Sequence, residues 1–229
     1  MAHEPGGCPV LSRRPATPVT FRSHIGRVEE SQRVRASESE WRRWAARVPH
    51  SSGAPRDLIC DEKRAYLFFT SLNGKLWRCW TDLNDFPRGF DHCEIALQAA
   101  IFEASHTYKL KGTGKYLSIV EQNGRRYYKA YLADSLDGQW TPLADTEVKP
   151  FAGAANIRPA AGVKPWTDNI SHGELIREGV DQTMTVGPAN LRFLFQGVLE
   201  SEKAGKGYGQ FPWRLGILTP VAAAPASGK

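Results

Sequence analysis

Three short turn signals, each an Asn-Gly or Asp-Gly pair between strand-like runs, constrain the fold of this chain most strongly. They lie in LNGK at 72–75, QNGR at 122–125 and LDGQ at 136–139. Such pairs tolerate the backbone angles of tight hairpin turns, so each one predicts two antiparallel strands joined directly. Short turns, and no helical pattern, separate the strand-like runs, which argues against a β-α-β organisation. The chain is therefore expected to be all-β, as a sandwich, barrel or propeller.

Eight strand-like runs supply the predicted sheets, and many of them carry Trp or Tyr. These aromatic side chains are expected in the core, with stacking on sugar rings as the alternative for some of them. The runs are AYLFFTS, KLWRCW, IFEASHTYKLK, KYLSIVEQ, RYYKAYLA, QWTPL, LRFLFQGV and WRLGILT.

The composition of the chain changes near Asp57. Residues 1–56 are rich in Pro, Ser, Gly and Arg, lack strand alternation and offer one helical pattern, SESEWRRWAARV at 37–48, with a capping-box spacing at its start. We expect residues 1–56 to be disordered or partly helical, residues 57–220 to form the β domain, and the tail at 221–229 to be disordered.

The net charge of +6 is concentrated in the N-terminal segment. Residues 1–56 hold ten Arg and five Glu, whereas the remaining chain holds twenty basic and nineteen acidic residues. Because the β domain is almost neutral, a basic nucleic-acid-binding surface is not expected. No apolar run approaches the roughly 18 residues that cross a membrane, and the first twenty residues lack the apolar region of a secretory signal.

The four cysteines form no Cys-x-x-Cys pair, so their spacing does not predict a zinc site. The pattern is compatible with one disulfide but does not assign its partners. Unbridged buried thiols are the commoner arrangement and are expected here. The cysteines are Cys8, Cys60, Cys79 and Cys93.

Glu103 is the carboxylate whose surroundings most need an explanation. If Ile101 to Lys109 forms one strand, Glu103 lies within an apolar run, where a lone ionised carboxylate is costly to bury. It is then paired, placed in a wet pocket, or kept partly protonated, which is what a general acid requires. The ordinary alternative is a Glu on the surface of a strand, held in an ion pair. Other motifs in the chain must decide between these two interpretations.

Seven blocks of residues between positions 59 and 220 form an ordered series. The blocks are CDEKRAYLFFTSLNGKLWR (60–78), FEASHTYKLKGTGKYLSIVE (102–121), RRYYKAYLADSLDGQWTPLADT (125–146), PFAGAAN (150–156), WTDNISHGEL (166–175), LRFLFQG (191–197) and YGQFPWRLGILT (208–219). One block alone would be a weak signal, but the ordered series is highly specific. It closely resembles glycoside hydrolase family 62, the α-L-arabinofuranosidases that remove arabinose side chains from xylan.

This resemblance implies a five-bladed β-propeller and hydrolysis with inversion, in which one carboxylic acid protonates the leaving oxygen and an opposing carboxylate activates water. It identifies Glu103, in FEASH, as the general acid. It also implies a second carboxylate that holds the pKa of the acid high. Relatives carry that Asp where this chain has Pro55, so Asp57, two residues later, is the candidate for the role.

The resemblance also implies residues that bind substrate. Tyr208 matches a position at the arabinose pocket, and Gln210 is a second candidate nearby. His172 and Glu174, in ISHGEL, fall on one face of a short strand and could converge near the propeller axis. In the family this His is associated with a channel that bears calcium, so His172 is a candidate neighbour of a structural calcium ion, and a hydrogen-bonded core His is the alternative. No cofactor is expected to be required.

The match covers only about the last three of the five blades, so residues 1–56 are expected to lie outside the family. An incomplete propeller with an irregular N-terminal segment is therefore expected. In relatives the water-activating Asp lies upstream of the matched blocks, and residues 1–56 contain no Asp, so no general base is assigned. The expected protein is a secreted, monomeric hydrolase of arabinoxylan whose activity is doubtful. The alternative is an inactive fragment that retains at most xylan binding.

Overall fold

The chain folds into strands joined mostly by short turns, as seen in a computed structural model that describes residues 20–24 and 56–221. Those residues contain three single-turn 3₁₀ helices and no α-helix. The strands are β1 (Thr20–His24), β2 (Arg56–Cys60), β3 (Arg64–Thr70), β4 (Lys75–Asp82), β5 (His92–Gln98), β6 (His106–Leu110), β7 (Tyr116–Glu121), β8 (Tyr128–Ala133), β9 (Thr141–Ala144), β10 (Ile157–Pro159), β11 (Asn169–Leu175), β12 (Thr185–Val186), β13 (Phe193–Val198) and β14 (Arg214–Val221).

The strands form three separate sheets. The first has the order β2-β3-β4-β5, and the second has the order β12-β6-β7-β8-β9 with β12 parallel to β6. The third has the order β10-β1-β14-β13-β11. The all-β prediction is confirmed, and the three sheets correspond in number to the three blades expected of an incomplete propeller.

Strands β2, β6 and β11, one from each sheet, are joined by side chains. The Thr107 N–H of β6 donates to the carboxylate of Asp57 in β2. On the other side of β6, the Tyr108 hydroxyl accepts a hydrogen bond of 2.8 Å from the Leu175 N–H of β11. These contacts join one strand from each of the three sheets along β6.

The predicted hairpins are present. The Asn-Gly turn at 73–74 connects β3 to β4, with a φ of +85° at Gly74, and the turn at 123–124 connects β7 to β8, with a φ of +94° at Gly124. The Asp-Gly pair at 137–138 lies between β8 and β9. Glycine adopts these positive φ angles without the steric cost that other residues carry.

The prediction of one strand from Ile101 to Lys109 is wrong. Ile101 forms only an isolated bridge with Gln122, and β6 begins at His106. Ala104 has a φ of +51°, an angle that no strand adopts, so the chain turns before β6. Glu103 therefore lies on this turn, outside the ladder, and simple face alternation does not apply to it.

Sequence reasoning also missed other strands. Strand β1 lies in the segment expected to lack strands. Strand β10 lies in the stretch from 150 to 166, whose many Ala, Gly and Pro residues predict a loop. Strand β5 was missed because its side chains are mostly exposed or half-buried, which leaves little apolar pattern to detect. The predicted helix at 37–48 and the tail at 222–229 lie outside the described residues.

The aromatic side chains mostly form the core, as expected. Tyr128, Trp140 and Trp166 are buried, whereas Trp77 and Trp80 are half-buried. Two large apolar clusters form the core. One packs the second sheet against the third, and the other packs the first sheet against the second. In the part of the chain that the structure describes, no helix has the length and apolarity to cross a bilayer.

Cys79 and Cys93 form a disulfide between β4 and β5, where the two residues lie directly opposite each other. The expectation that the thiols stay unbridged is wrong for this pair, because the unpredicted strand β5 places Cys93 across from Cys79. Cys60 is a buried free thiol, as expected. Cys8 lies outside the described residues.

The disulfide closes a loop with a sequence separation of 14 residues. By the loop-entropy relation, we expect the Cys79→Ser/Cys93→Ser variant to lose about 3 kcal/mol of unfolding free energy, measured by urea denaturation. A reducing agent should lower the stability of the wild type toward that of the variant and leave the variant unchanged. Equal stability of the two oxidised proteins would contradict the bridge.

Candidate active site

Glu103 is held in place by the backbone of β7. The Phe102 N–H donates to the Glu121 carbonyl at 2.8 Å, and the Glu121 N–H donates to the Glu103 carbonyl at 3.0 Å. The turn at Ala104 then directs the chain into β6. The Glu103 side chain keeps 19% of its surface exposed, so it extends from a fixed backbone and is reachable by solvent.

The Glu103 carboxylate has two cationic or titratable neighbours. His172 Nε2 lies 3.1 Å from Glu103 Oε1, and Arg126 Nη1 lies 3.9 Å from the same oxygen. His172 comes from β11, at a register shift between Ser171 and Glu174, and its φ is +36°. This irregularity lets the imidazole leave the sheet and meet Glu103.

The motif glycine next to His172 has a packing reason. A Cβ on Gly173 would lie 2.4 Å from the Phe193 ring and 2.7 Å from the Leu194 carbonyl oxygen. The Gly173 N–H also donates to the Tyr128 hydroxyl at 2.6 Å. Only glycine lets β11 approach β13 this closely while the irregularity positions His172.

Glu121 is a second carboxylate at the site, and its side chain is completely buried. It forms an ion pair with Arg126 and accepts hydrogen bonds from the Ser171 hydroxyl, at 3.0 and 3.2 Å, and from the His172 N–H, at 3.1 Å. A buried ionised carboxylate is tolerated only with such partners. Glu121 therefore fixes Arg126 and β11 relative to β7.

Tyr208 reaches this cluster through Arg126. The Arg126 guanidinium carbon lies 5.7 Å from the centre of the Tyr208 ring, at the start of the 3₁₀ turn Tyr208–Gln210. The ring is 52% exposed and also contacts Phe211 edge to face. Gln210 is exposed, and its side-chain oxygen accepts a hydrogen bond from the Gly207 N–H at 3.0 Å, within its own turn.

Asp57 lies apart from this cluster. Its buried carboxylate accepts from the Thr107 N–H, and no hydrogen bond or ion pair joins it to Glu103 within the described residues. Burial raises the pKa of Asp57 to about 7, opposed by the Thr107 hydrogen bond and reinforced by the negative charge of Glu174. The structure thus brings together Glu103, His172 and Tyr208, and it places Asp57 near Glu174.

The exposed residues of β11 explain this division. His172 and Glu174 are exposed while Ser171, Gly173 and Leu175 between and beside them are buried, as the one-face prediction required. His172 faces Glu103, whereas Glu174 is near Asp57.

Burial and the neighbouring His172 lower the pKa of His106 to about 4, so the imidazole at the start of β6 is neutral at pH 7.

One group among the described residues has the spacing of a metal site: Glu103, Glu121 and His172, whose ligand atoms lie within 4.8 Å of one another. This group does not fit calcium. Calcium takes six to eight oxygen ligands, whereas here Glu121 already accepts from Arg126, Ser171 and His172. The guanidinium would also repel a cation at this position.

Sequence reasoning missed Glu121 and Arg126. The signal was present, because a two-residue Asn-Gly turn at 123–124 pairs residue 121 with residue 126 and so predicts facing opposite charges. In the structure the loop is wider, with Glu121 opposite Tyr128 in the ladder, but the two side chains still meet.

The raised pKa of Asp57 makes stability depend on pH. Between about pH 4 and 7 the folded protein binds a proton that the unfolded chain has lost, so the free energy of unfolding falls as pH rises, by up to about 1.4 kcal/mol per unit. In Asp57→Asn, which still accepts from Thr107, this contribution should vanish. Urea denaturation from pH 4 to 7 tests it, with the exposed Asp134→Asn as control, and parallel wild-type and Asp57→Asn curves would contradict it.

Comparisons with known proteins give a consistent result. The sequence profile described as Glycosyl hydrolase family 62 matches residues 34–219, a range that begins before the blocks quoted above. Alpha-L-arabinofuranosidase C of Cellvibrio japonicus is 41% identical in an alignment 189 residues long that covers 76% of this chain and 30% of that protein.

Solved structures agree. The catalytic domain of the Coprinopsis cinerea family 62 α-L-arabinofuranosidase is 40% identical with a TM-score of 0.68, over 72% of this chain and 53% of that one. A Podospora anserina α-L-arabinofuranosidase, solved with cellotriose, is 39% identical with a TM-score of 0.67, over 73% and 53%. The chain thus spans about half the length of these solved relatives. The matching profile, the sequence identity and the shared β-propeller-type fold show that the chain belongs to glycosyl hydrolase family 62.

Proposed function

We propose that this chain carries the proton-donating side of an α-L-arabinofuranosidase site that releases arabinose from arabinoxylan with inversion. The observation that carries the proposal is the state of Glu103, whose main chain is fixed by hydrogen bonds to β7 and whose carboxylate lies 3.1 Å from His172 and is reachable by solvent. A general acid needs this combination, because it must meet the glycosidic oxygen in a defined geometry. The names of the relatives supply the substrate class.

In the proposed reaction Glu103 donates its proton to the oxygen that links arabinose to xylose, and the bond from that oxygen to the arabinose anomeric carbon breaks. Water attacks the anomeric carbon from the opposite face and gives up a proton to a base. We assign no described residue of this chain to that base. In inverting enzymes the two carboxyl groups lie about 6.5–9.5 Å apart, which leaves room for the water.

The neighbours of Glu103 have separate proposed tasks. His172, at 3.1 Å, orients the carboxyl group and borders the sugar, and Tyr208 offers a half-exposed ring on which the arabinose can pack. Gln210 is a weaker substrate-binding candidate, since its side chain is engaged in its own turn. Asp57 stays the proposed pKa-modulating carboxylate on the resemblance, although it lies apart from Glu103 and its own pKa of about 7 leaves it largely protonated below that pH.

The proposed setting is extracellular, with no nucleic-acid or membrane partner and a monomeric state. The Cys79–Cys93 disulfide supports secretion, because such bonds form and persist in oxidising compartments. The reaction is proposed to require no cofactor. The residues around His172 do not form a calcium cage, and no step is assigned to a metal.

A second candidate is a fragment that binds xylan without cleaving it. The observation that favours it is coverage, since the chain matches 53% of the Coprinopsis cinerea catalytic domain. A family 62 hydrolase of 40% identity was solved in complex with xylotriose, so a binding surface for xylose units exists in that relative. Aromatic and polar residues at the Glu103 site would provide the corresponding contacts here.

Arabinose release from wheat arabinoxylan tests the proposal. We expect Glu103→Gln to lower the rate by about 10²- to 10⁴-fold, because the amide keeps the shape of the carboxyl group but has no acidic proton to transfer to the leaving oxygen. The matched control is Glu147→Gln, which alters an exposed carboxylate that pairs with Arg125, and it should keep wild-type activity.

The outcomes separate the two candidates. Release by the wild type that persists in Glu103→Gln contradicts the assigned acid. No release, but retention of the wild type on xylan affinity gels, supports the binding fragment. Neither release nor retention overturns both proposals for this chain.

A further inference from the structure

Arg126 contacts more functional groups of the site than any substrate-binding candidate does. Its guanidinium pairs with Glu121, lies 3.4 Å from the Ser171 hydroxyl and 3.9 Å from Glu103, and stacks over the Tyr208 ring at 5.7 Å. A planar guanidinium with five donors can serve several partners at once, which a Lys ammonium on a flexible stem cannot do in the same geometry.

We propose that Arg126 is a positioning residue that sets the placement of Glu103 and Tyr208 relative to each other. The proposal rests on the proposed function and deepens it. It explains how Glu103, the proton donor, and Tyr208, the ring that packs against the arabinose, keep a fixed position relative to each other. Arg126 acts through these two residues and is not proposed to touch the reacting atoms.

The anchoring of Arg126 suits it to this role. Its guanidinium is held by the ion pair with Glu121, whose side chain has no exposed surface. Its backbone carbonyl accepts a hydrogen bond of 2.9 Å from the Ile170 N–H of β11. With both ends of the residue tied to neighbouring strands, the guanidinium has little freedom to follow a shift of either Glu103 or Tyr208.

A purely structural ion pair would not need this geometry. Neutralising Glu121 requires only a cation within reach, yet the guanidinium lies between a partly exposed carboxylate and a half-exposed aromatic ring. Tyr208 is on a 3₁₀ turn outside the sheets, where Arg126 is its link to β7 and β11. A cation over an aromatic ring is attracted to the negative face of the ring, and this attraction holds the exposed turn against Arg126.

The first test is kinetic and uses arabinofuranosyl-xylotriose. Arg126→Lys keeps a cation for Glu121, so it should fold with a melting temperature near that of the wild type. We expect its kcat/KM to fall by about 100-fold, since a misplacement near 1 Å costs that much. The matched control is Arg125→Lys, the adjacent exposed arginine that pairs with Glu147, and it should stay within twofold.

A double-mutant cycle separates positioning from stability. If Arg126 acts through Tyr208, Tyr208→Ala should cost much less in the Arg126→Lys protein than in the wild type. Additive losses, or a kcat/KM of Arg126→Lys within threefold of the wild type, overturn the proposal.

A second test needs neither activity nor ligand. In the NMR spectrum of the full chain, the Arg126 side-chain protons should be shifted upfield by the Tyr208 ring and should show contacts to it. The shift should vanish in Tyr208→Ala and persist in Arg125→Lys. Its presence supports the positioning role even if the wild type releases no arabinose, which would count against the proposed function alone. Its absence overturns the positioning role whatever the activity.

Discussion

The ion pair between Glu121 and Arg126 is the interaction on which the site depends. Glu121 has no exposed surface, so its charge is stable only with the guanidinium and with the donors of Ser171 and His172. Removing one partner of such a pair typically costs about 3–5 kcal/mol, because the other charge is left buried and alone. This pair joins β7, the loop between β7 and β8, and β11 into one unit that supports Glu103.

On that support, two carboxylates occupy contrasting environments. Glu103 lies on a turn, partly exposed and beside an imidazole and a guanidinium, as chemistry on an external substrate requires. Asp57 is buried against the Thr107 N–H and near Glu174, and burial raises its pKa to about 7. The one exposed face of β11 serves both, with His172 directed to the first and Glu174 near the second.

Much of this arrangement could be predicted from the sequence. The Asn-Gly pairs fixed the hairpins at 73–74 and 123–124, and the ordered blocks identified the family. The conformation around Glu103 could not be predicted, because the positive φ of Ala104 results from tertiary contacts and has no local sequence signal.

The disulfide and the ion pair were missed for a different reason. Both depend on pairing between strands, and the strand β5 that carries Cys93 has too little apolar pattern to be recognised. The contact between Glu121 and Arg126 could have been predicted from the Asn-Gly turn between them. The contact of Arg126 with Tyr208 joins residues far apart in sequence and is visible only in the three-dimensional structure. Sequence patterns alone do not predict long-range contacts of this kind.

The most direct measurement is a crystal structure of the Glu103→Gln chain with arabinofuranosyl-xylotriose. We expect the glycosidic oxygen to lie about 2.6–3.2 Å from the residue 103 side chain, with the arabinose ring against Tyr208 and the guanidinium of Arg126 still in contact with the Tyr208 ring. An arabinose bound away from residue 103, or a Tyr208 turn detached from Arg126, would contradict it.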